Sequence, residues 1–342
     1  ALAPLDSAPG GGQGTAMPIA RIAGGIDPLV RLLALAIVLA SVLPVTAEYR
    51  PTAQAVSNGA IFLLFLLNGM RLPRAEVLRG IVHMRFLAPL ALWSFLAMGF
   101  AGWGLARVGE VLALPQQVAL GLLFLGILPS TVQSATAYSS LAGGNVAVSV
   151  VAAAVLNVLG VFLSAPLFSL LAGSEAAPFD LAALERIALI LLLPFAIGQL
   201  VQGRAGHLVR DHRRIATWMD RTAIAIAVYV AFSGAVEQGL WQRVGLGDWG
   251  VLLALVGVFL VVGFVGAWLL GGLLELRRDD RIAFLFAGAQ KSIALGAPLA
   301  SVLFPPAVAG LLLLPVLTYH LLQLVISAPL AGRLNRPPAA PA

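Results

Sequence analysis

The sequence predicts an all-α polytopic membrane protein of about ten transmembrane helices, built as two five-helix halves, each with one broken helix. Three observations carry this. Apolar stretches long enough to cross a bilayer recur from end to end. Mean hydropathy is +0.97 and only 11% of residues are charged, a composition foreign to soluble domains of this length. Two of the apolar stretches are interrupted by polar residues at matching places in the two halves.

Taken in order, residues 1–20 are rich in Gly, Pro and Ala and read as a disordered tail without the apolar core of a secretory signal. Spans are expected near 27–46, 53–70, 86–106, 115–141, 145–172, 186–202, 222–241, 249–275, 281–303 and 304–331, followed by a short tail, 337–342. The stretch 115–172 reads either as two long helices or as three pieces broken at Pro129 and at Gly143-Gly144. The arginine-rich segment 204–221 reads as a solvated loop or surface helix, with lipid-headgroup binding as the minor reading.

Arginines set the expected orientation. With the N-terminus cytoplasmic, sixteen arginines fall in or beside cytoplasmic segments, and only Arg50, Arg107, Arg186 and Arg243 fall outside. Both termini are then cytoplasmic, and the expected location is the bacterial inner (plasma) membrane. Trp103, Trp241 and Trp249 fall at the outer boundary as interfacial anchors. The +6 net charge is not a nucleic-acid signal, because the arginines lie in short connections. Absence of cysteine excludes thiolate sites, and the four histidines show no metal-ligand spacing.

The halves repeat. Pro129-Ser130-Thr131-Val132-Gln133-Ser134-Ala135-Thr136 interrupts one span and Gly288-Ala289-Gln290-Lys291-Ser292 the other. Five spans per half is an odd number, so the second half is inverted. Paired interrupted helices in an inverted repeat point to a transporter's binding site. A broken helix leaves backbone groups unpaired at membrane depth, tolerated only where protein or a watery cavity satisfies them.

Lys291, the chain's single lysine, lies ten residues past Arg281, about 15 Å along a helix and so near mid-bilayer. It is either a structural cation binding the orphan carbonyls of the half-helix ends, or a contact for a substrate anion or a group that exchanges a proton during transport. Asn145 reads as a cap. Ser149 and Asn157 either line a cavity or join helices. His320 is a packing histidine or a proton carrier. Glu237 lies near the outer interface.

Pro129-Ser130-Thr131-Val132, Ser139-Ser140-Leu141-Ala142-Gly143-Gly144-Asn145, Gln290-Lys291-Ser292-Ile293-Ala294-Leu295-Gly296 and Tyr319-His320 with Gln323-Leu324 resemble the bile acid:sodium symporter superfamily, best its bacterial SBF-like branch. The likeness runs from about 27 to 333. It implies a bile acid symporter-like fold in which the broken helices cross, with a panel domain (approximately 27–70 and 186–241) and a core domain (approximately 86–172 and 249–331). It also implies that these form a single carrier unit, 21–336. In the sodium-coupled members one ion uses a Ser-Asn pair on the first broken helix, a Ser and a Thr on the next helix, and a Glu on the second broken helix. The second ion shares that Glu and adds a Gln. The matching positions here are Ala135 and Thr136, Ser149 and Ala153, and Phe286 and Gln290, so only Ser149 and Gln290 keep the side chain. Loss of the shared carboxylate removes the charged oxygen a hard cation needs.

The expected function is secondary active transport of a small organic anion, bile-acid-like or another carboxylate or sulfonate, without the two-sodium mechanism. The expected pathway residues are Lys291, Gln290, Ser292, Gln133, Ser134, Thr136, Thr131, Ser130, Ser149, Asn157 and His320. No cofactor or nucleic-acid partner is expected; the coupling ion, H+ or Na+, is open. A non-transporting regulator of ion (for instance calcium) homeostasis is the rival reading. An intramembrane enzyme is not expected, because no convergent nucleophile, base or metal ligands are present.

Overall fold

The computed structural model describes residues 27–71, 84–173 and 185–335. The two tails, and Arg21, Arg74, Arg79 and Arg336, lie outside the described residues. Those described form helices and no strand. The long helices are α1 (Pro28–Val42), α2 (Arg50–Arg71), α3 (Met84–Val111), α4 (Gln116–Gly126), α5 (Val132–Leu141), α6 (Val146–Ala172), α7 (Glu185–Asp211), α8 (Arg213–Glu237), α9 (Leu246–Leu273), α10 (Arg278–Ala289), α11 (Ile293–Leu303) and α12 (Pro306–Leu334), with a single helical turn, Leu240–Arg243, between α8 and α9. Eight helical spans are long and apolar enough to cross a membrane, with α10 and α11 counted as one. The shorter α1 and the broken pair α4–α5 bring the spans to ten.

Local chemistry explains the boundaries. Asp27 caps α1, accepting from the Leu29 amide at 2.7 Å, and Pro28 supplies a pre-set first turn. Gly143 ends α5 at φ +73°, a conformation that only glycine adopts without strain. Asn145 caps α6, accepting from the Val148 amide at 3.2 Å and donating to Asp280 at 2.9 Å. The 115–172 region is therefore three pieces, broken at both predicted places, and α6 is one long helix of 27 residues. The segment 204–221 is not a loop. α7 continues through it to Asp211 and α8 begins at Arg213, because a single turn at His212 suffices to reverse the chain.

Two helices carry π turns, Leu92–Ala97 in α3 and Ala188–Leu192 in α7. In α3 the Met98 amide bonds the Trp93 carbonyl and skips that of Ser94. Such bulges leave a backbone group available for other work.

Packing places α10–α11 at the centre. Within an 18-residue apolar stretch of each, 94% of Arg278–Leu303 is buried and only 22% of Glu185–Asp211, so the second broken helix is the core and α7 an edge. α1, α2, α7 and α8 pack side by side, with α2 joined to both α7 and α8. α3, α4, α9, α10 and α12 pack into a second group with α5 and α6. Gly126 of α4 faces Gly102 of α3. A Cβ at Gly126 would stand 2.6 Å from the Met98 carbonyl, so the small residues permit this close crossing.

The groups touch mainly through α8 against α11 and α12. Ser301 donates to the Ala227 carbonyl, Gln54 reaches the Ser301 carbonyl, and Ala231 and Ala235 lie against Gly310. Burial mirrors this. Val230–Ala235 of α8 and Ala309–Leu317 of α12 are continuously buried. Toward the arginine-rich end, only Ala216 is buried between Arg213 and Thr222, and only Gln323 and Ser327 between Leu321 and Leu330. The burial of both helices thus falls off toward that end.

Candidate functional site at the crossing of two broken helices

The breaks at 127–131 and 290–292 hydrogen-bond to each other. The Ser292 amide donates to the Pro129 carbonyl at 2.8 Å, and Thr131 Oγ1 donates to the Lys291 carbonyl at 2.9 Å.

Every carbonyl from Gly126 to Ser130 has a donor from a distant part of the chain. Lys291 Nζ donates to Gly126 at 2.7 Å and Leu128 at 2.8 Å. Ser164 Oγ serves Ile127 at 2.8 Å, the Ser292 amide serves Pro129, and Asn157 Nδ2 serves Ser130 at 2.7 Å. The third acceptor of Lys291 is the Ser94 carbonyl at 2.8 Å, the group that the α3 π turn skips. A buried ammonium with three donors thus meets three carbonyls, two of them at the C-terminal, partially negative end of α4. None of its partners is a carboxylate.

The second break is braced by α12. Tyr319 Oη donates to the Ala289 carbonyl. Gln323 grips the Lys291 peptide at both ends, accepting from its amide at 2.8 Å and donating to its carbonyl at 3.0 Å. Gln290 Nε2 donates to Ser327 Oγ at 3.2 Å, and Gln290 Oε1 accepts from Ser134. Tyr319, Gln323 and Ser327 are spaced i, i+4, i+8 and form one polar stripe on an apolar helix.

The predicted pathway residues therefore divide. Lys291, Gln290, Ser134, Thr131 and Asn157 hold the crossing together. Ser292 caps α11, accepting from the Leu295 amide at 3.3 Å. His320 is buried and its Nδ1 meets Gln323 Nε2 at 2.9 Å. Gln133 is exposed on α5. Ser130, Thr136 and Ser149 have buried hydroxyls with no partner among the described residues.

Phe286 fills the place where the resemblance put a shared carboxylate. It is fully buried, with the Tyr138 ring 5.9 Å and the Phe264 ring 6.4 Å away. Glu237 pairs with Arg50 where α2 begins and α8 ends.

Ser94, Ser164, Tyr319, Gln323 and Ser327 were absent from the expected site. The α12 stripe was visible as spacing. Nothing local marked Ser164 or the skipped carbonyl of Ser94, because each matters only through a remote partner.

Crossing half-helices whose interrupted backbones are satisfied inside the protein are the arrangement around which membrane transporters build their sites. Residues 27–336 match the model of the SBF-like CPA transporter family, and the chain belongs to that family. It is 36% identical to "Putative symporter YfeH" of Escherichia coli over 91% of this chain and 93% of that one. It is likewise 36% identical to "Uncharacterized protein PA2026" of Pseudomonas aeruginosa, over 91% and 93%. Its identity to "Sodium/bile acid cotransporter 7" of Mus musculus is 22%, over 80% and 81%.

Proposed function

We propose that this chain is a secondary active carrier of a small organic anion, that it works without a pair of bound sodium ions, and that Lys291 is its built-in cation. The observation that carries this reading is the ammonium of Lys291 held at 2.7–2.8 Å by three carbonyls at the crossing. Oxygen-only, carbonyl-rich coordination is what a hard cation takes. Here a tethered charge occupies that role and cannot dissociate.

Phe286, Ala135 and Ala153 support the same reading, since none offers an oxygen ligand on its side chain. The aromatic cluster of Tyr138, Phe264 and Phe286 occupies that region. With no carboxylate among its partners, Lys291 leaves the crossing net positive in a low-dielectric setting, where charge acts over distance. Such a field favours an anion in the crevice without direct contact. Gln133, Thr136 and Ser149 offer the polar groups that would orient it. The name of the mouse relative makes a bile-acid-like anion the first candidate, and the Escherichia coli relative's name makes coupling to a second solute, here a proton, the first mechanism to test.

In this reading α1, α2, α7 and α8 form a panel and the other helices a core. Transport is alternating access, one group moving against the other around the fixed crossing. The arginine-rich end is cytoplasmic in the inner membrane.

The test is uptake of labelled bile acids and smaller carboxylates or sulfonates by the purified protein in liposomes. Sodium and proton gradients are imposed separately. Uptake that persists without sodium supports the proposal. Strictly sodium-dependent uptake, abolished by Ser149→Ala or Gln290→Ala, overturns it. A complementary test adds Na+ or methylammonium to Lys291→Ala, where partial recovery of thermal stability supports the cation role.

A further inference from the structure

The crossing leaves unexplained a groove of about 480 Å³ between α2 and α8. Ala60, Leu63, Trp218, Thr222 and Ile226 line it, and Arg214 lies at its arginine-rich end. Trp218 is nine residues, two and a half helical turns, from Ala227. Ala227 faces α11 through its bond with Ser301. Trp218 thus lies on the side of α8 opposite Ala227, and the groove runs from there toward Ala223 and Ile226. Leu63 and Trp218 are 38% and 43% exposed, so the groove is open at these side chains, while Leu64 and Ala223 form its buried floor.

Charge is distributed unevenly around it. Asp220 pairs with Arg71 at 2.6 Å, and Asp27 approaches Arg221 at 3.9 Å. Arg210, Arg213 and Arg214 have no ion pair among the described residues. The Arg221 guanidinium stacks 5.7 Å from the Trp218 ring and rigidifies that side chain. From Arg214 to Ile226 the groove follows twelve residues of α8, about 18 Å. That is close to one leaflet of a hydrocarbon core about 30 Å thick.

We propose that this groove binds one anionic glycerophospholipid from the leaflet at the arginine-rich end. One acyl chain lies along Leu63, Trp218 and Ile226, and the phosphate sits against Arg214. An apolar trough lined by Leu63, Trp218 and Ile226, with Arg214 at one end, complements this amphiphile at both ends. Because the groove joins α2 to α8, occupancy stiffens those two helices against each other and leaves the crossing untouched.

The experiment is native mass spectrometry of the full chain in detergent, with phosphatidylglycerol, phosphatidylcholine or inorganic phosphate added. One phosphatidylglycerol is expected to stay bound to the wild type, with phosphatidylcholine retained about five-fold less. Arg214→Gln lowers phosphatidylglycerol retention about five-fold, toward the phosphatidylcholine level. The groove-filling Leu63→Trp and, as a milder second variant, Ala60→Leu also lose it, each judged against an unchanged unfolding midpoint. Equal retention of the two lipids, or variants that match wild type, overturns the proposal. It also fails if inorganic phosphate competes fully while Leu63→Trp changes nothing, which would mean an anion site without a chain. A dimer dissociated by Leu63→Trp at constant lipid binding would assign the groove to a second copy instead. Substrate uptake is not part of the readout, so this result stands apart from the fate of the carrier reading.

Discussion

The two breaks face one physical problem and meet it by different means. The first exposes five successive carbonyls, Gly126 to Ser130, at the negative end of a half-helix, and draws its donors from Lys291, Ser292, Ser164 and Asn157. The second spans three residues, and α12 supplies neutral partners from Tyr319 and Gln323. A long run of carbonyls gathers partial negative charge, which one cation answers at several points at once. A single peptide unit needs only one donor and one acceptor, which an amide side chain provides. The cation for the first break sits on the second, so neither crossing helix reaches its final form alone.

Lys291→Met cuts deepest into this contrast. It leaves three buried carbonyls short of a donor, and a loss on the order of 3–5 kcal/mol is expected, read as a drop in unfolding midpoint in detergent. A midpoint equal to wild type would mean that neutral contacts suffice at both breaks.

Gln323→Leu strips the second break of its brace. The Lys291 amide loses its acceptor while Thr131 still serves the carbonyl, so about 2 kcal/mol is expected from the same assay. An effect larger than that of Lys291→Met would reverse the ranking of the two breaks.

Gly126→Ala tests the carbonyl cage indirectly. The new Cβ presses on the Met98 backbone and pushes α3 from α4, which costs about 1–3 kcal/mol and moves the Ser94 and Gly126 carbonyls relative to each other. The combination with Lys291→Met should cost less than the sum of the singles, because both act on one cage. Strict additivity would break that link.

Asn145→Ala removes the cap of α6 and its bond to Asp280, far from the breaks, and should cost about 1 kcal/mol. The smallest effect is expected from Arg50→Gln. Its pair with Glu237 is partly exposed, so the change stays below about 1 kcal/mol and shrinks further in high salt.

Particular residues show what could be read in advance. The span limits near 53–70 and 249–275 came within a few residues of α2 and α9, because a bilayer fixes both length and polarity. Asn145 as a cap was legible from Gly143-Gly144 before it, since capping is a local matter. The segment 204–221 read as a solvated loop or surface helix, and of the two the helix is what forms, to Asp211 and again from Arg213. A helix that emerges from a membrane keeps its backbone bonds while its side chains change solvent.

The sequence by itself determined that the chain crosses a membrane about ten times, where two of the crossings break, and that a lone lysine stands at one break. Those are consequences of hydropathy, helix-breaking residues and spacing, all written along the chain. Only the tertiary structure decided where the lysine points, because its three acceptors belong to α3, α4 and the opposite break, 163 to 197 residues away. Backbone carbonyls carry no residue identity. Which of them a packing arrangement leaves unpaired becomes visible only once the helices have met.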